Sequence, residues 1–313
     1  MQGLPTDFCK TLKSTYSTAL AHGHLIYAGE SAKSNSLNAN INDSNYEFRL
    51  TVLESLQQRP EKGHVDLNPF DKPEPELTVV DTLGERDEFR IVLNKFPVVP
   101  AHFMLVTKSF KPQNSPLAPS ELVATFMVLK KLACDADDDW FAFYNCGPSS
   151  GASQPHKHIQ FMTLPQNHHP FAEKLAESND HFIPSQKREA LQDPNMPFAH
   201  FVARLPSEID ERLEEVLLLI FYALVQKVFD VLKNHDVDHI SYNFCATTKY
   251  MMLVPRSNAK YEGTGINSCG FMGLVLCKDN KTAEQMKRCG FENVLAAIGF
   301  PNTSGENSNE YSY

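Results

Sequence analysis

The segment from residue 145 to residue 160, NCGPSSGASQPHKHIQ, carries the side chains best suited to chemistry. It joins a loop rich in glycine and serine to two histidines and a glutamine at alternate positions, His156, His158 and Gln160. Successive side chains of a β-strand point to opposite faces, so these three would share one face while Lys157 points to the other. Polar groups that converge on one face are costly to bury unless they find partners or a ligand. The pattern therefore predicts a polar site beside the loop.

The residues alone allow three hypotheses for this site. In the first, the histidines belong to a hydrogen-bonded polar network at the surface of a sheet. In the second, His156 and His158 are two ligands of a metal ion, with His168 or His169 as the third, although no acidic ligand is near. In the third, one imidazole attacks phosphorus, because neutral imidazole is a good nucleophile near its pKa of about 6.5 and its phosphoramidate is a reactive intermediate.

Hydrophobic periodicity predicts the elements that position this segment. A period-two run from Glu88 continues through NKFPVVPAH into the apolar run FMLVT, which indicates a strand, a loop and a second strand. Mixed helices and hairpin-like strands favour an α+β fold with an antiparallel sheet. We predict helices at 6–21, 119–133, 206–233 and 281–298, and strands at 89–94, 103–107, 140–145, 156–164, 198–205, 241–246, 250–254 and 271–277.

Polar and proline-rich stretches predict the loops and the domain boundaries. We interpret 31–45 and 60–76 as loops, 166–196 as a linker or lid, and the tail from Asn302 as polar. The expected organisation is therefore an N-terminal part at 1–165 that carries the H-x-H-x-Q strand, the linker, and a C-terminal part at 197–313. LVTKS at 105–109 and LVPRS at 253–257 form a weak internal repeat, which raises the hypothesis of a second related half.

The composition excludes several classes of protein. The chain has 313 residues, 42% hydrophobic and 21% charged, as in ordinary globular proteins. A net charge of −9 argues against a nucleic-acid binder, which relies on diffuse positive charge. Seven cysteines without C-x-x-C spacing indicate reduced thiols, and we find neither a membrane span nor a signal peptide. We therefore expect a cytoplasmic protein, with the nucleus as a second compartment.

Further segments occur in the same order as in a known family. They are G-x-S-Q-x-H-x-H-x-Q at 151–160, LNKFPVVPAHFMLVT at 93–107, FYNCGP at 143–148, NPF at 68–70 and GINSCGFMGLVLCKD at 265–279. In these segments the chain resembles the fungal diadenosine tetraphosphate phosphorylases, also called ATP adenylyltransferases. That family belongs to the galactose-1-phosphate-uridylyltransferase branch of the histidine triad superfamily. The resemblance implies a histidine-triad-like antiparallel sheet flanked by helices.

The resemblance also implies a role for each matching residue. His158 would be the nucleophile, His156 would orient it or hold the loop, and Gln160 would bind oxygens of the attacked phosphate. The chain departs from the family at Arg59, where the family carries lysine, and at Leu274, where some members carry methionine. The resemblance places nucleotide and polyphosphate contacts at Arg59, Asn94, Lys95, Asn145, Gly151, Ala152, Ser153, Gln154, Asn267, Ser268, Cys269, Leu274 and Lys278.

The reaction implied is phosphorolysis of diadenosine tetraphosphate to ADP and ATP, and its reverse, through an adenylyl-histidine. The resemblance further implies a divalent cation, Mg²⁺, that arrives with the nucleotide, with no dedicated metal site in the protein. Expected partners are the nucleotides and inorganic phosphate, without nucleic acid or membrane, and the expected state is a monomer. Two alternatives stay open, which are phosphorolysis of adenylyl sulfate and a non-catalytic sensor of dinucleotides.

Overall fold

The computed structural model describes residues 3–27, 29, 32–53, 56–57, 68–135, 138–177 and 180–305. Within these residues, helices and strands alternate along the chain in the mixed order that the periodicity predicts. The helices are α1 (Phe8–Ala21), α2 (Pro119–Asp135), α3 (Phe171–Leu175), α4 (Leu213–Asn234), α5 (Ser268–Phe271), α6 (Asn280–Cys289) and α7 (Phe291–Ile298). The strands are β1 (Lys33–Ile41), β2 (Ser44–Val52), β3 (Thr78–Leu83), β4 (Phe89–Leu93), β5 (Phe103–Thr107), β6 (Trp140–Cys146), β7 (His158–Thr163), β8 (Phe201–Arg204), β9 (Tyr242–Ala246), β10 (Tyr250–Pro255), β11 (Lys260–Tyr261), β12 (Thr264–Gly265) and β13 (Leu274–Cys277).

One eight-stranded sheet forms the centre of the molecule, in the order β3-β4-β5-β7-β6-β9-β10-β8. Every neighbouring pair in it is antiparallel. The predicted α+β fold with an antiparallel sheet is therefore confirmed. Strand β6 pairs with β9 through Asn145 opposite Asn243, so the N-terminal and C-terminal parts of the chain share this sheet.

The two faces of the sheet carry different layers. On one face, Leu105, Ile159 and Phe161 pack in a core with side chains of α1, α2 and α4. On the other face, Phe143 and Met162 pack in a second core with α5, α6, α7 and a small three-stranded sheet. Because His158 and Gln160 alternate with Ile159 and Phe161, they belong to the second face. No helix within the described residues is long and apolar enough to cross a membrane.

The three-stranded sheet corrects the prediction that residues 31–45 form a loop. Strands β1 and β2 form a hairpin, and β13 pairs with β2 in parallel. Asn42 and Asp43 both have positive φ, as a two-residue hairpin turn requires. The prediction was wrong because β1 is a polar edge strand, in which only Leu37, Ala39 and Ile41 pack against the core. Those three residues alternate, and this was the signal hidden by the serines and asparagines.

Other boundaries also differ from the prediction. The predicted strand at 271–277 is shortened to β13 because the short helix α5 precedes it. The predicted helix at 281–298 is two helices, which are separated at Gly290 with φ of 74°. The helix predicted from 206 begins only at Leu213, and the segment predicted as linker contains α3. The predicted loop at 60–76 ends in a 3-10 turn at Pro75–Leu77, while its residues 60–67 lie outside the described part.

A buried ion pair supports the histidine strand from the opposite face. Lys157 Nζ lies 3.1 Å from Glu121 Oε2, with side-chain exposures of only 3% and 1%. Lys157 also donates to the carbonyl of Pro116 at 2.8 Å, and Glu121 accepts from the backbone of Ala118 at 2.7 Å. Lys111 reaches the second oxygen of Glu121 at 3.2 Å from a more exposed position. The pair therefore fixes the backbone between His156 and His158 against the start of α2.

We predict that Lys157→Met lowers the free energy of unfolding by about 3 kcal/mol, because it leaves a buried carboxylate with Lys111 as its remaining cationic partner. The double variant Lys157→Met/Glu121→Gln should recover more than half of this loss, because no buried charge is then left. Urea unfolding at neutral pH measures both. The surface pair Lys287 and Glu284 gives the control, and Lys287→Met should change stability by less than ~1 kcal/mol. A double variant no more stable than the single one would contradict the prediction.

Candidate active site

His158 is held by hydrogen bonds that leave one ring nitrogen available. It begins β7 opposite Val106 of β5 and is only 2% exposed. Its Nδ1 lies 2.8 Å from the carbonyl oxygen of His156, so Nδ1 carries the proton and donates it. The Nε2 atom is then unprotonated and has no hydrogen-bond partner among the described residues. This tautomer presents a lone pair on Nε2, as a nucleophile requires.

Burial also keeps His158 in its nucleophilic form. Removal from water lowers the pKa of His158 to about 4, with the nearby His156 acting in the same direction. The hydrogen bond to the His156 carbonyl opposes this shift without reversing it. Because the pKa lies well below neutral pH, the imidazole is uncharged there and needs no deprotonation before it attacks.

His156 has a different role, since both of its ring nitrogens are already bonded. Its Nε2 donates to the carbonyl of Thr107 at 2.7 Å and lies 3.0 Å from the Thr107 hydroxyl. Its Nδ1 accepts from the side-chain amide of Asn68 at 2.7 Å. The Phe70 ring lies 5.8 Å from the His156 ring and 5.1 Å from the His158 ring, and closes the site on that side. His156 is therefore a positioning residue whose carbonyl fixes the nucleophile.

A buried glutamine replaces part of the strand pairing beside His158. The described pairing of β6 with β7 ends at Phe143 opposite Gln160. Beyond it, Gln113 Oε1 accepts from the His158 backbone N–H at 2.8 Å. Gln113 Nε2 donates to the carbonyl of Asn145 at 3.0 Å and lies 3.3 Å from that of His158. The amide satisfies the backbone groups of both strands at the point where they separate around the nucleophile.

Gln160 is oriented by a second buried histidine. His102 Nε2 lies 3.1 Å from Gln160 Oε1, and His102 is 2% exposed. We assign the proton of His102 to Nε2, because the contact with Gln160 Oε1 is shorter than the 3.4 Å contact with Asn94 Nδ2, and this N–H directs the NH₂ group of Gln160 away from His102. The side-chain oxygen of Asn94, at the end of β4, accepts from the backbone N–H of Phe96 at 3.0 Å. Gln160 is therefore ready to donate a hydrogen bond to an anion in front of His158.

The loop before β7 is shaped by two glycines that no other residue could replace without strain. Gly147 has φ of +85°, and a Cβ there would lie 2.0 Å from the carbonyl of Ile240. Gly151 has φ of +80°, and a Cβ there would lie 2.6 Å from the carbonyl of Ile266. After this turn, Ser153 is exposed and Gln154 is half-buried, and their side chains have no hydrogen bond to described residues. They are free to contact a ligand.

A buried arginine ties this loop to the C-terminal part. The Arg256 guanidinium is fully buried and donates to the carbonyls of Ser150 at 3.3 Å, Ile266 at 2.9 Å and Ile298 at 3.2 Å. It also contacts the side-chain oxygen of Asn243, whose NH₂ donates to Asn145 Oδ1 at 2.8 Å. Burial lowers the pKa of Arg256 to about 9, so it stays charged at neutral pH. Carbonyl dipoles compensate that charge.

Two family models match almost the whole chain. A model described as the Ap4A phosphorylase N-terminal domain matches residues 5–176, where Ap4A denotes diadenosine tetraphosphate. A model described as the ATP adenylyltransferase C-terminal domain matches residues 194–301. The chain belongs to the Ap4A phosphorylase family.

Solved and curated relatives agree with this assignment. Diadenosine 5',5'''-P1,P4-tetraphosphate phosphorylase 2 of Saccharomyces cerevisiae is 40% identical over 260 residues, which cover 79% of this chain and 80% of the yeast protein. Protein APA1 of the same yeast is 32% identical over 99% of both chains. The crystal structure of yeast Ap4A phosphorylase Apa2 in complex with Ap4A has a TM-score of 0.83 and 34% identity, and covers 95% of this chain and 99% of that chain.

In this Ap4A phosphorylase family member, several of the residues predicted to bind substrate join the motif through hydrogen bonds. Asn145 is 2% exposed, and its Oδ1 accepts from the Ser268 backbone at 3.0 Å and from the Ser268 hydroxyl at 2.7 Å. Asn267 caps α5 by accepting from the backbone of Cys269 at 3.0 Å. Because Asn145 Oδ1 is already occupied, only its NH₂ is left for a ligand.

The other predicted residues lie in different surroundings. Lys95 is 47% exposed and pairs with Glu74 at 2.5 Å. Leu274 is buried in β13, and Cys269 is buried in the second core. Lys278 is exposed, with its carbonyl accepting from Gln57 at 2.9 Å. The predicted contacts at Gly151 and Ala152 are in the loop itself, and Arg59 lies outside the described residues.

A metal site at the H-x-H pair finds little support in the geometry, and neither does a reactive thiol at Cys146, the last residue of β6. His168 Nε2 lies 2.8 Å from the Met272 carbonyl, and His169 pairs with Glu173 at 3.2 Å, so neither histidine is bonded to the H-x-H pair. The described residues contain no group of three His, Cys, Asp or Glu side chains arranged to hold a metal ion. Burial raises the pKa of the Cys146 thiol to about 12, which disfavours a reactive thiolate.

The sequence reasoning missed the residues that hold the site in place. These residues are polar, all except the half-buried Asn68 are buried, and they come from segments far along the chain from residues 145–160. His102 stood inside a segment already identified by resemblance, and its place directly before the second predicted strand was the available signal. The missed residues are Asn68, His102, Thr107, Gln113, Asn243 and Arg256.

The depressed pKa of His158 predicts a pH dependence of stability. His200 is also fully buried, and burial lowers its pKa to about 4. Unfolded histidines take up protons near pH ~6.5 while these two resist until near pH 4, so the unfolded state binds more protons between these values. Stability should therefore fall as pH drops through this window, by about 1.4 kcal/mol per pH unit for each histidine.

Urea unfolding at several pH values would measure this slope. The double variant His158→Gln/His200→Gln cannot titrate at either position, so its slope should be smaller than that of wild type by about 2.7 kcal/mol per pH unit. Equal slopes for the two proteins would show that these imidazoles are already protonated in the folded state.

Proposed function

We propose that this protein cleaves diadenosine tetraphosphate with inorganic phosphate to give ATP and ADP, and that the reaction passes through an adenylyl-His158 intermediate. The observation that supports it most directly is the state of His158. It is a neutral imidazole with Nδ1–H held by a carbonyl and with Nε2 unbonded among the described residues. The names of the yeast relatives support the substrate, and the family supports nucleotidyl transfer.

The first step is adenylylation of the enzyme. Nε2 of His158 attacks the α-phosphorus, the N–P bond forms, and the bond from that phosphorus to the bridging oxygen breaks. That oxygen leaves with the other three phosphates and the second adenosine, which together are ATP. The carbonyl of His156 stabilises the positive charge that develops on the ring, because it accepts the Nδ1 proton throughout.

Neutral donors stabilise the charge on the transferred group. Gln160 can donate its NH₂ group because His102 occupies its oxygen. Ser153, Gln154 and backbone N–H groups of the loop can donate from the other side, since the two side chains have no bonds to described residues. Such preoriented donors account for much of the catalysis of phosphoryl-type transfer.

The second step transfers the adenylyl group to phosphate. An oxygen of HPO₄²⁻ attacks the same phosphorus, the N–P bond breaks, and ADP leaves with neutral His158 restored. The proton brought by phosphate passes to solvent as the products reach their ionised forms. Phosphate arrives as an anion, so it needs little assistance from a base.

We propose that the divalent cation enters as part of the substrate. The described residues around His158 are imidazoles, amides and hydroxyls, whereas Mg²⁺ prefers carboxylate oxygens. A cation bound to the polyphosphate oxygens fits this neutral donor set better than a resident ion. The monomeric state stays a prediction.

Isotope exchange tests the covalent step. Wild type incubated with ADP and labelled phosphate should form labelled ADP without a second nucleotide, and His158→Ala should lose this exchange by more than ~10⁴-fold. His200→Ala is the matched control, because His200 is also fully buried and its Nδ1 is 2.8 Å from the carbonyl two residues earlier. The folded fraction of His200→Ala should keep an exchange rate within about tenfold of the wild-type rate. Binding of dinucleotide by wild type without any exchange would favour a sensor.

Gln160 should favour transfer to phosphate over hydrolysis. An amide neither gains nor loses a proton near neutral pH, so it cannot act as a base toward attacking water. We predict that Gln160→His raises the ratio of AMP formed by water to ADP formed by phosphate. Product analysis at several phosphate concentrations measures this ratio in both proteins. An unchanged or lower ratio in a folded variant would mean that another feature excludes water.

A further inference from the structure

Phe110 is an exposed aromatic side chain beside the active site. Among the large apolar side chains of the described residues it has the greatest exposure, at 60%. Its ring lies 5.3 Å from the ring of His156, and it belongs to neither of the two large cores. An exposed phenylalanine at this position contributes little to folding, so its ring is available for a ligand.

The backbone holds Phe110 firmly in this place. The segment after β5 continues alongside the residues before β7, because the Lys157 N–H donates to the Lys111 carbonyl at 2.8 Å and Gln113 N–H donates to the Pro155 carbonyl at 2.8 Å. Pro112 and His156 also form a bridge between the two segments. The backbone at Phe110 is therefore fixed relative to the nucleophile, which keeps the ring beside the active site.

Phe110 and Gln160 lie toward opposite ends of the strands that carry His158. Along β5, Met104 faces Gln160 and Val106 faces His158, so Phe110 is four residues further in the same direction. At about 3.3 Å per residue, it is no more than ~13 Å along the chain from Val106. A dinucleotide with its α-phosphorus at His158 would extend toward both ends.

Solvent access distinguishes the two ends. The end with Gln160 and His102 is buried, at 9% and 2% exposure, and suits the nucleotide that stays on the enzyme as the adenylyl group. The end with Phe110 and Ser153 is exposed. The leaving nucleotide must depart and phosphate must enter between the two steps, so the exposed end is the one that both must use.

The contacts around Phe110 favour recognition of a base over recognition of phosphate. Lys108 pairs with Asp87 at 2.6 Å and Lys111 with Glu121 at 3.2 Å, so both neighbouring cations are already engaged. An aromatic face, in contrast, binds a purine by stacking. We propose that Phe110 stacks on the adenine of the leaving ATP and selects substrates that carry a second nucleoside. This inference rests on the proposed phosphorolysis and adds the subsite for its second base.

Two reactions of the same enzyme distinguish a role of Phe110 in binding the second base from a general loss of activity. Phosphorolysis of diadenosine tetraphosphate has a leaving group with a base, whereas exchange between ADP and labelled phosphate has phosphate alone as its leaving group. For Phe110→Ala, the ratio of kcat/KM for the dinucleotide to the exchange rate should fall about tenfold, the usual size of a stacking contribution. Phe110→Leu should behave like Phe110→Ala, and Phe110→Tyr like wild type.

Tyr222→Ala is the matched control, because Tyr222 is 51% exposed on α4, whose buried residues pack on the opposite face of the sheet. It should leave the ratio as in wild type. An equal fall of both rates in Phe110→Ala, or a wild-type ratio in that variant, would overturn the inference about the second base. A wild-type protein that forms neither ATP and ADP from the dinucleotide nor labelled ADP in the exchange would instead overturn the proposed function.

Discussion

The hydrogen bond from Nδ1 of His158 to the carbonyl of His156 is the interaction on which the site depends. It spans only two residues, so it requires a fixed backbone conformation between them. That conformation is held on three sides: by the bonds of the His156 ring to Thr107 and Asn68, by the Gln113 amide, and by the buried ion pair of Lys157. The imidazole tautomer is therefore a consequence of the packing of several distant segments.

The same arrangement explains why the nucleophile lies at a strand end and not within the sheet. Strands that stayed paired beyond this point would leave no gap for the loop that joins them. Here the paired part ends at Phe143 and Gln160, and the Gln113 side chain satisfies the backbone groups that the separation leaves. The separated strands leave space for the glycine loop, which Arg256 joins to the C-terminal part by donating to the carbonyls of Ser150 and Ile266.

Local patterns in the sequence were enough to predict seven of the eight strands of the central sheet, all except β3, and the common face of His156, His158 and Gln160, because alternation and helical periodicity are local signals. They were not enough to identify Gln113, His102 or Arg256, whose partners lie 45, 58 and 106 residues away. A polar residue of this kind looks like any loop residue until the fold buries it. The β1 and β2 hairpin was missed for a related reason, since an edge strand needs few apolar residues and its polar ones resembled a loop.

Electrostatics around the site favour a substrate that brings its own counter-ion. The protein carries a net charge of −9, and the lysines of the described neighbouring segments are paired with carboxylates, Lys95 with Glu74, Lys108 with Asp87 and Lys111 with Glu121. A bare polyphosphate would meet few free cations there. An uncharged donor such as the Gln160 amide responds weakly to the total charge of the bound group. It responds more strongly to the position of each phosphate oxygen. A polyphosphate neutralised by its own cation would be accepted by such a site, and the geometry of its oxygens would then decide which phosphorus faces His158.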